Sequence, residues 1–244
     1  MQPCEFSETQ FSFCFTFEYI KSFFPIIPMP IFLNTVIEGR PGGGYDVRIN
    51  GSLYFQFKIP MGYYDELNHW VIHHWQVFNH PYYKIKLETD SRQFHLLQSL
   101  KNPTNEVCYV APEFHERDTL RTHYLANDIV NHSAMFPIES FQLAGAGSHH
   151  LIYHPNHDFG RLFSEPIEIK KKKLFNPLEL FPRAKEEMTI YQQAKNTAGL
   201  LMEFADKKIN IKPFTFDVPE VLVKEVYTTL LVNYNIHWYP VISI

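Results

Sequence analysis

The segment from Leu53 to Ile59 places a lysine inside an otherwise apolar, aromatic-rich strand. Strand alternation puts Tyr54, Gln56 and Lys58 on one face and the apolar residues on the other. Charged side chains are seldom buried in an apolar strand unless they are paired or have a chemical role. The polar face that carries Lys58 is therefore a candidate functional site.

An acid precedes this strand and suggests metal chemistry. A divalent cation near Asp46 can take oxygen ligands from its carboxylate, from the Gln56 amide and from the Phe57 carbonyl, a donor set that suits Mg²⁺ or Mn²⁺. Lys58 would then orient or activate the water that attacks a phosphodiester, while the metal withdraws charge from the phosphate. The pattern predicts metal-dependent phosphodiester hydrolysis.

Asp46 followed by Gln56-Phe57-Lys58 resembles the motif of the PD-(D/E)xK phosphodiesterase superfamily, which includes type II restriction enzymes and Holliday-junction resolvases. Several branches of that superfamily carry Gln in place of the motif's first acid. The resemblance covers roughly residues 7 to 111. It implies an α/β fold with a restriction-endonuclease-like core, in which helices flank a central mixed sheet, and Mg²⁺ (or Mn²⁺) as the cofactor.

The resemblance also implies a catalytic, metal-binding glutamate on the helix before the motif. Glu8 and Glu18 are both candidates, and the distance to Asp46 slightly favours Glu18. The order helix, strands, helix, strand predicted for this part of the chain is the order of the superfamily core.

The proposed site depends on the geometry of a hairpin. A three-residue loop at Asn50-Gly51-Ser52, with its glycine in the left-handed conformation, pairs Asp46 with Gln56 on one face. A two-residue turn would instead place Asp46 opposite Phe55 and away from the polar face. The alternative for the whole stretch is an ordinary half-buried hairpin whose Lys58 snorkels to the surface.

Local patterns predict the other elements of the chain. Ser7 can cap a helix that runs to about Phe24. Periodicity predicts further helices at residues 65–77, 91–100, 114–127, 182–207 and 218–232, and strands at residues 31–37, 82–88, 106–111, 151–153, 209–216 and 236–243. We expect residues 1–130 to form the nuclease-like core and residues 131–244 an α/β extension that packs on it or docks a partner.

The charge and the cysteine content limit which partners and which compartment the sequence predicts. A formal net charge of −4 provides no global basic field, so nucleic-acid binding has to come from a local patch or from a partner protein. The lysine run at residues 170–173 contacts phosphates or forms a charged edge, and both interpretations stay open.

The three cysteines lack metal-site spacing and predict reduced thiols in the cytoplasm. The apolar amino-terminal run is interrupted by charges and follows no basic leader, so neither a signal peptide nor a membrane span is expected.

Two groups of histidines are candidates for metal sites. His69 and His73 have the four-residue spacing of zinc ligands on a helix, but the HExxH glutamate is missing and a packed or surface helix is favoured. The histidines at positions 149, 150, 154 and 157 match no zinc module. A lone residue such as His115 is more often hydrogen-bonded and structural.

The sequence therefore predicts a magnesium-dependent nuclease that acts on nucleic acid, on DNA rather than RNA, and that works as a subunit of a bacterial phage-defence or nucleic-acid-processing assembly. The alternative is a catalytically silent protein of the same fold that serves as a binding or scaffold subunit. The apolar carboxy terminus, residues 238–244, and the Gln at the motif's first position suit that alternative. Both readings predict a protein partner or a homo-oligomer.

Overall fold

The protein is an α/β chain in which a mixed sheet is flanked by helices. The computed structural model describes residues 2–23, 48–63, 81–142, 144–162, 167–172, 188–204 and 213–242, with residues 48–50 described by their backbone alone. The described helices are α1 (Glu8–Phe23), α2 (Arg92–Leu100), α3 (Arg117–Ala126), α4 (Ile190–Glu203) and α5 (Pro219–Tyr234). The described strands are β1 (Arg48–Phe57), β2 (Met61–Tyr63), β3 (Tyr82–Glu88), β4 (Asn105–Pro112), β5 (Ser133–Pro137), β6 (Ser148–Tyr153), β7 (Phe159–Leu162), β8 (Glu168–Lys170), β9 (Met188–Thr189) and β10 (Ile236–Ile242). None of the helices in these ranges is long and apolar enough to cross a membrane.

The chain divides into two compact units, each assembled from three segments. Unit 1 consists of Met1–Tyr19, Phe57–Phe94 and Cys108–Leu174. Unit 2 consists of Ile20–Gln56, His95–Val107 and Phe175–Ile244. The boundary expected near residue 130 stays a prediction.

Strand β1 is one continuous strand of ten residues and not part of a hairpin at residues 50–52. It pairs antiparallel with β10 from Ile49 to Gln56, with a register shift between Ile49 and Gly51. The predicted loop at Asn50-Gly51-Ser52 is therefore wrong, because the glycine lies at a bulge inside a paired strand instead of in a turn. The hairpin register that was expected to set Asp46 beside Gln56 is wrong with it, and Asp46 itself lies outside the described residues.

Strands β1 and β4 run parallel to each other. The Ser52 amide donates to the Thr104 carbonyl at 3.1 Å, and the Lys58 amide donates to the Val110 carbonyl at 2.9 Å. Donors and acceptors advance together along the chain, which is the parallel pattern. The antiparallel partners of β1 and β4 make the sheet mixed.

In unit 2, helices α4 and α5 pack on each other, and α5 packs on β10. Helix α4 begins with a capping box, because the Thr189 hydroxyl accepts from the Gln192 amide while the Gln192 side chain accepts from the Thr189 amide. The buried apolar residues of these elements include Ala194, Ala198, Leu201, Leu222, Val226, Leu230 and Trp238.

In unit 1, a second sheet has the strand order β2-β3-β6-β7-β8, and every pairing in it is antiparallel. Strand β5 pairs with the last residues of β4, from Cys108 to Pro112. Helix α1 covers Phe57, whose ring lies 5.7 Å from that of Phe11 and 5.4 Å from that of Phe15. Aromatic contacts of this kind build most of the core next to α1.

Most of the predicted elements that fall on described residues are confirmed. The helices expected at 7–24, 91–100, 114–127 and 218–232 and the strands expected at 82–88, 106–111, 151–153 and 236–243 correspond to α1, α2, α3, α5, β3, β4, β6 and β10. The helix expected from residue 182 is wrong at its start, because residues 188–189 form β9 and α4 begins at Ile190. The strand expected at 209–216 is wrong where it is described, since residues 213–216 form no strand. The elements expected at 31–37 and 65–77, and with them His69 and His73, lie outside the described residues.

Candidate functional site

Gln56 is buried in unit 2 on the polar face of β1. On that face the Tyr54 hydroxyl lies 3.1 Å from the Thr197 hydroxyl and accepts a hydrogen bond from Gln193 at 2.8 Å. Gln56 is 1% exposed, and among the described residues no donor meets its Oε1 atom. A buried carbonyl oxygen without a partner costs about 1 to 3 kcal/mol, so this atom is a ready acceptor for a water or a cation.

Lys58 lies in unit 1, directly after β1, and is half-buried. Its ammonium lies 5.8 Å from the centroid of the Tyr109 ring. Loss of hydration lowers the pKa of Lys58, and the negative charges of Glu8 and Glu88 oppose that shift. The lysine singled out from the sequence therefore does sit in a partly dry, acid-flanked environment, as a lysine with a chemical role would.

The structure separates the two candidate glutamates of α1. Glu18 is buried, and its carboxylate accepts hydrogen bonds from the amides of Ile129 at 2.7 Å and Val130 at 3.3 Å. Glu18 therefore anchors the 3₁₀ helix Val130–His132. Glu8, in the first turn of α1, is the glutamate whose charge acts on Lys58.

Phe57, the third predicted metal ligand of the motif, is buried with its ring against α1. Its carbonyl stays a predicted ligand. Gln56 is the last residue of the first segment of unit 2, whereas Phe57 and Lys58 belong to unit 1. The contacts of each residue are therefore described within its own unit.

The lysine run is divided between different roles. Lys170 is exposed at the end of β8, whereas the Lys171 ammonium pairs with the Glu113 carboxylate and donates to the His154 carbonyl at 2.6 Å. Burial raises the pKa of Glu113 and lowers the pKa of Lys171, and the attraction between the two charges opposes both shifts. Lys171 thus serves the fold of unit 1.

The Glu113–Lys171 pair lies in a cleft of about 520 Å³ in unit 1. The residues that line the cleft are Glu113, Val130, Asn131, Ser133, Pro155, Asn156, His157, Asp158, Lys171 and Lys172. Two acids, Glu113 and Asp158, and two lysines, Lys171 and Lys172, line the cleft. The cleft therefore presents no single sign of charge to a polyanion.

Three of the histidines considered from the sequence, His115, His149 and His154, make structural hydrogen bonds. His149 Nε2 lies 2.7 Å from the Gly145 carbonyl, and His154 Nδ1 accepts from the Asn156 amide at 3.0 Å. His115 is buried, with Nε2 at 2.8 Å from the side-chain oxygen of Gln2. These bonds support the structural interpretation of His115.

A cluster of ligand-type side chains that the sequence analysis missed lies between α3 and β5. His123, Asp128 and His132 are each half-buried, and one ligand atom from each lies within 4.8 Å of the others. The spacing of these residues crosses the end of α3. Periodicity within α3 could not reveal them, but an Asn followed directly by Asp at the helix end was a detectable cue for a left-handed turn.

Comparisons with family models, with curated proteins and with solved structures found no match to this chain. The fold defines the chain as an α/β protein with a mixed sheet. Its two candidate sites are the half-buried Lys58 after β1 and the cluster of His123, Asp128 and His132 at the end of α3.

Proposed function

We propose that the protein is a metal-dependent nuclease that hydrolyses nucleic-acid phosphodiesters with Mg²⁺ or Mn²⁺. The observation that carries the proposal is the environment of Lys58, whose half-buried ammonium lies 5.8 Å from the centroid of the Tyr109 ring and whose pKa is lowered by burial. A lysine with a lowered pKa orients a water and exchanges a proton with it more readily near neutral pH than an exposed lysine does. This is the role that the PD-(D/E)xK resemblance assigns to Lys58.

The donor atoms suit a hard cation in part. The Glu8 carboxylate, in unit 1 like Lys58, is an anionic oxygen donor, whereas Gln56, in unit 2, stays a ligand that the resemblance implies. Glu18 is the weaker candidate because backbone amides already engage its carboxylate. When bound, the cation would neutralise charge on the phosphate, and Lys58 would hold the attacking water. Asp46 stays a predicted ligand, without the hairpin that was expected to place it.

The proposed substrate is DNA rather than RNA, and the proposed setting is a bacterial phage-defence or nucleic-acid-processing assembly. The formal charge of −4 favours a partner protein that supplies part of the nucleic-acid contact. This reading places the protein in the cytoplasm.

The second candidate function is a catalytically silent binding or scaffold subunit. The observation that favours it is the continuity of β1, because a ten-residue strand is about 30 Å long and leaves its first residues far from Gln56. The loop at residues 50–52 that was expected to bring the motif acid to the Gln-x-Lys triplet is replaced by this paired strand.

The deciding experiment is a cleavage assay on single- and double-stranded DNA and RNA with Mg²⁺ or Mn²⁺. Lys58→Met, Glu8→Gln and Asp46→Asn are compared with the wild type. Lys224→Met and Glu203→Gln are matched controls, since both replace exposed charges on α5 and α4. We expect Lys58→Met to lose at least about 100-fold in rate, the usual size of a proton-transfer contribution.

Thermal unfolding measured on every variant separates loss of chemistry from loss of fold. Cleavage that is absent in the wild type, or that survives Lys58→Met unchanged, overturns the nuclease proposal and favours the silent subunit. Cleavage that needs Lys58 and Glu8 but tolerates Asp46→Asn supports the nuclease and removes Asp46 from its centre.

A further inference from the structure

We propose that His123, Asp128 and His132 bind one divalent transition-metal cation of the Zn²⁺ type through two imidazole nitrogens and one carboxylate oxygen. The site shares no residue with the environment of Lys58, so it stands or falls independently of the nuclease proposal.

The turn after α3 folds Asp128 back toward the helix. Asn127 caps α3 in the left-handed conformation, with φ at 52°. The Asp128 amide then donates to the His123 carbonyl at 2.9 Å. This backbone hydrogen bond fixes the distance between the last turn of α3 and Asp128. The backbone therefore holds His123 and Asp128 close together.

The third ligand is held by its own short helix. His132 ends the 3₁₀ helix Val130–His132, whose first amides are anchored by Glu18. The imidazole rings of His123 and His132 stack with their centroids 3.9 Å apart. The rings are inclined by only 26°, so the lone pairs in their planes run nearly parallel, and one ring has to rotate out of the stack before both nitrogens point at one cation.

Asp128 is oriented as a metal-ligating carboxylate usually is. The side-chain Nδ2 of Asn131 donates to Oδ1 at 2.7 Å, whereas Oδ2 lies 3.0 Å from Nε2 of His132. A cation would replace the proton shared by Oδ2 and Nε2, and that proton would leave to solvent. Asn131 would then act as the outer-shell partner that holds the ligating carboxylate.

The donor set selects the class of metal. Imidazole suits Zn²⁺ and its neighbours, while Mg²⁺ prefers all-oxygen sites. Two ligands on one Zn²⁺ lie about 3.4 Å apart, because zinc–ligand bonds are about 2.1 Å long. The present separations, within 4.8 Å, close to that value by rotation of side chains that are only half-buried. Three protein ligands leave one position for water, which is the arrangement of an exchangeable site and not of a closed structural one.

The test is direct metal binding to the full chain after chelation and dialysis. Zn²⁺ is titrated by calorimetry into the wild type and into Asp128→Asn, His132→Gln and His123→Gln, with Mg²⁺ as the comparison cation. His95→Gln is the matched control because His95 is an exposed histidine on α2. Co²⁺ provides a spectroscopic readout, since its visible absorption reports nitrogen and oxygen ligands and a low coordination number.

We expect one equivalent of Zn²⁺ to bind to the wild type and to His95→Gln, at least about 10-fold tighter than to each ligand variant. The Co²⁺ absorption should be lost in the ligand variants, and Mg²⁺ should not compete. Circular dichroism of the apoproteins verifies that the variants are folded. No stoichiometric binding, or binding that the three substitutions leave unchanged, overturns the proposal.

Discussion

At the scale of single residues, burial sets the charge state of several side chains. Lys171 keeps a partner carboxylate at contact distance, so its charge is compensated within unit 1. Lys58 is also withdrawn from water, and the negative charges of Glu8 and Glu88 oppose the lowering of its pKa. Lys171 is thus committed to an ion pair in unit 1, whereas Lys58 is the lysine that the sequence motif singles out, and this difference makes Lys58 the candidate for chemistry.

His237 on β10 gives the protein a testable pH dependence. Burial lowers its pKa to about 4 from the ordinary value of 6.5. Above pH 6.5 the histidine is neutral in both the folded and the unfolded chain. Between pH 6.5 and 4 the unfolded chain binds a proton that the folded chain excludes, so stability falls as the pH falls. We expect His237 to lower the free energy of unfolding by about 2 kcal/mol between pH 7.5 and pH 5.

The measurement is urea unfolding of the wild type and of His237→Phe at the two pH values. Other groups titrate over the same range, so the informative quantity is the difference between the two proteins. His95→Gln should behave like the wild type, because the side chain of His95 is exposed. An equal pH dependence in His237→Phe and the wild type would contradict the prediction.

At the scale of elements, the sequence predicts those whose determinants are local. Helix α1 begins where Ser7 and Gln10 form a reciprocal cap, with the Gln10 amide donating to the Ser7 hydroxyl at 3.1 Å. Strand β3 alternates buried and exposed residues as its sequence does. Strand β1 was missed because the turn preference of Asn50-Gly51 is outweighed by pairing with β10, whose partner residues lie at the other end of the chain.

Helix α4 shows how a cap overrides periodicity. The periodic pattern predicted a start at Pro182, but the capping box at Thr189 begins the helix there. We expect Thr189→Ala to lower the free energy of unfolding by about 1 kcal/mol, because the Gln192 amide loses its acceptor. Thr189→Ser keeps the hydroxyl and should retain most of the stability. Urea midpoints of the three proteins decide the matter, and a Thr189→Ala midpoint equal to that of the wild type would show that the cap contributes nothing.

The candidate sites follow the same division between local and distant determinants. Lys58 could be singled out from the sequence because a charge in an apolar strand is a local anomaly. The role of Glu18 could not be predicted, since its partners Ile129 and Val130 are brought to it by tertiary structure. The cluster of His123, Asp128 and His132 depends on a left-handed residue between two helical segments, which side-chain periodicity does not encode.

Across the entire chain, the segments of unit 1 and unit 2 alternate along the sequence. Within unit 1, β3 pairs with β6 and β4 pairs with β5. Within unit 2, β1 pairs with β10. In each of these pairs the first strand lies before residue 130 and the second lies after it. These three strand pairs therefore join residues from both sides of position 130.

This interleaving predicts that a fragment of residues 1–130 does not fold by itself. The fragment keeps β1, β3 and β4 but loses β10, β6 and β5, so three strand edges that are paired in the full chain become exposed. We expect such a fragment to show no cooperative thermal transition, to lack the near-ultraviolet circular dichroism of the full chain and to aggregate. The full chain, purified in the same way, is the control. A cooperative transition with native-like near-ultraviolet dichroism would contradict the prediction and support an independent domain that ends near residue 130.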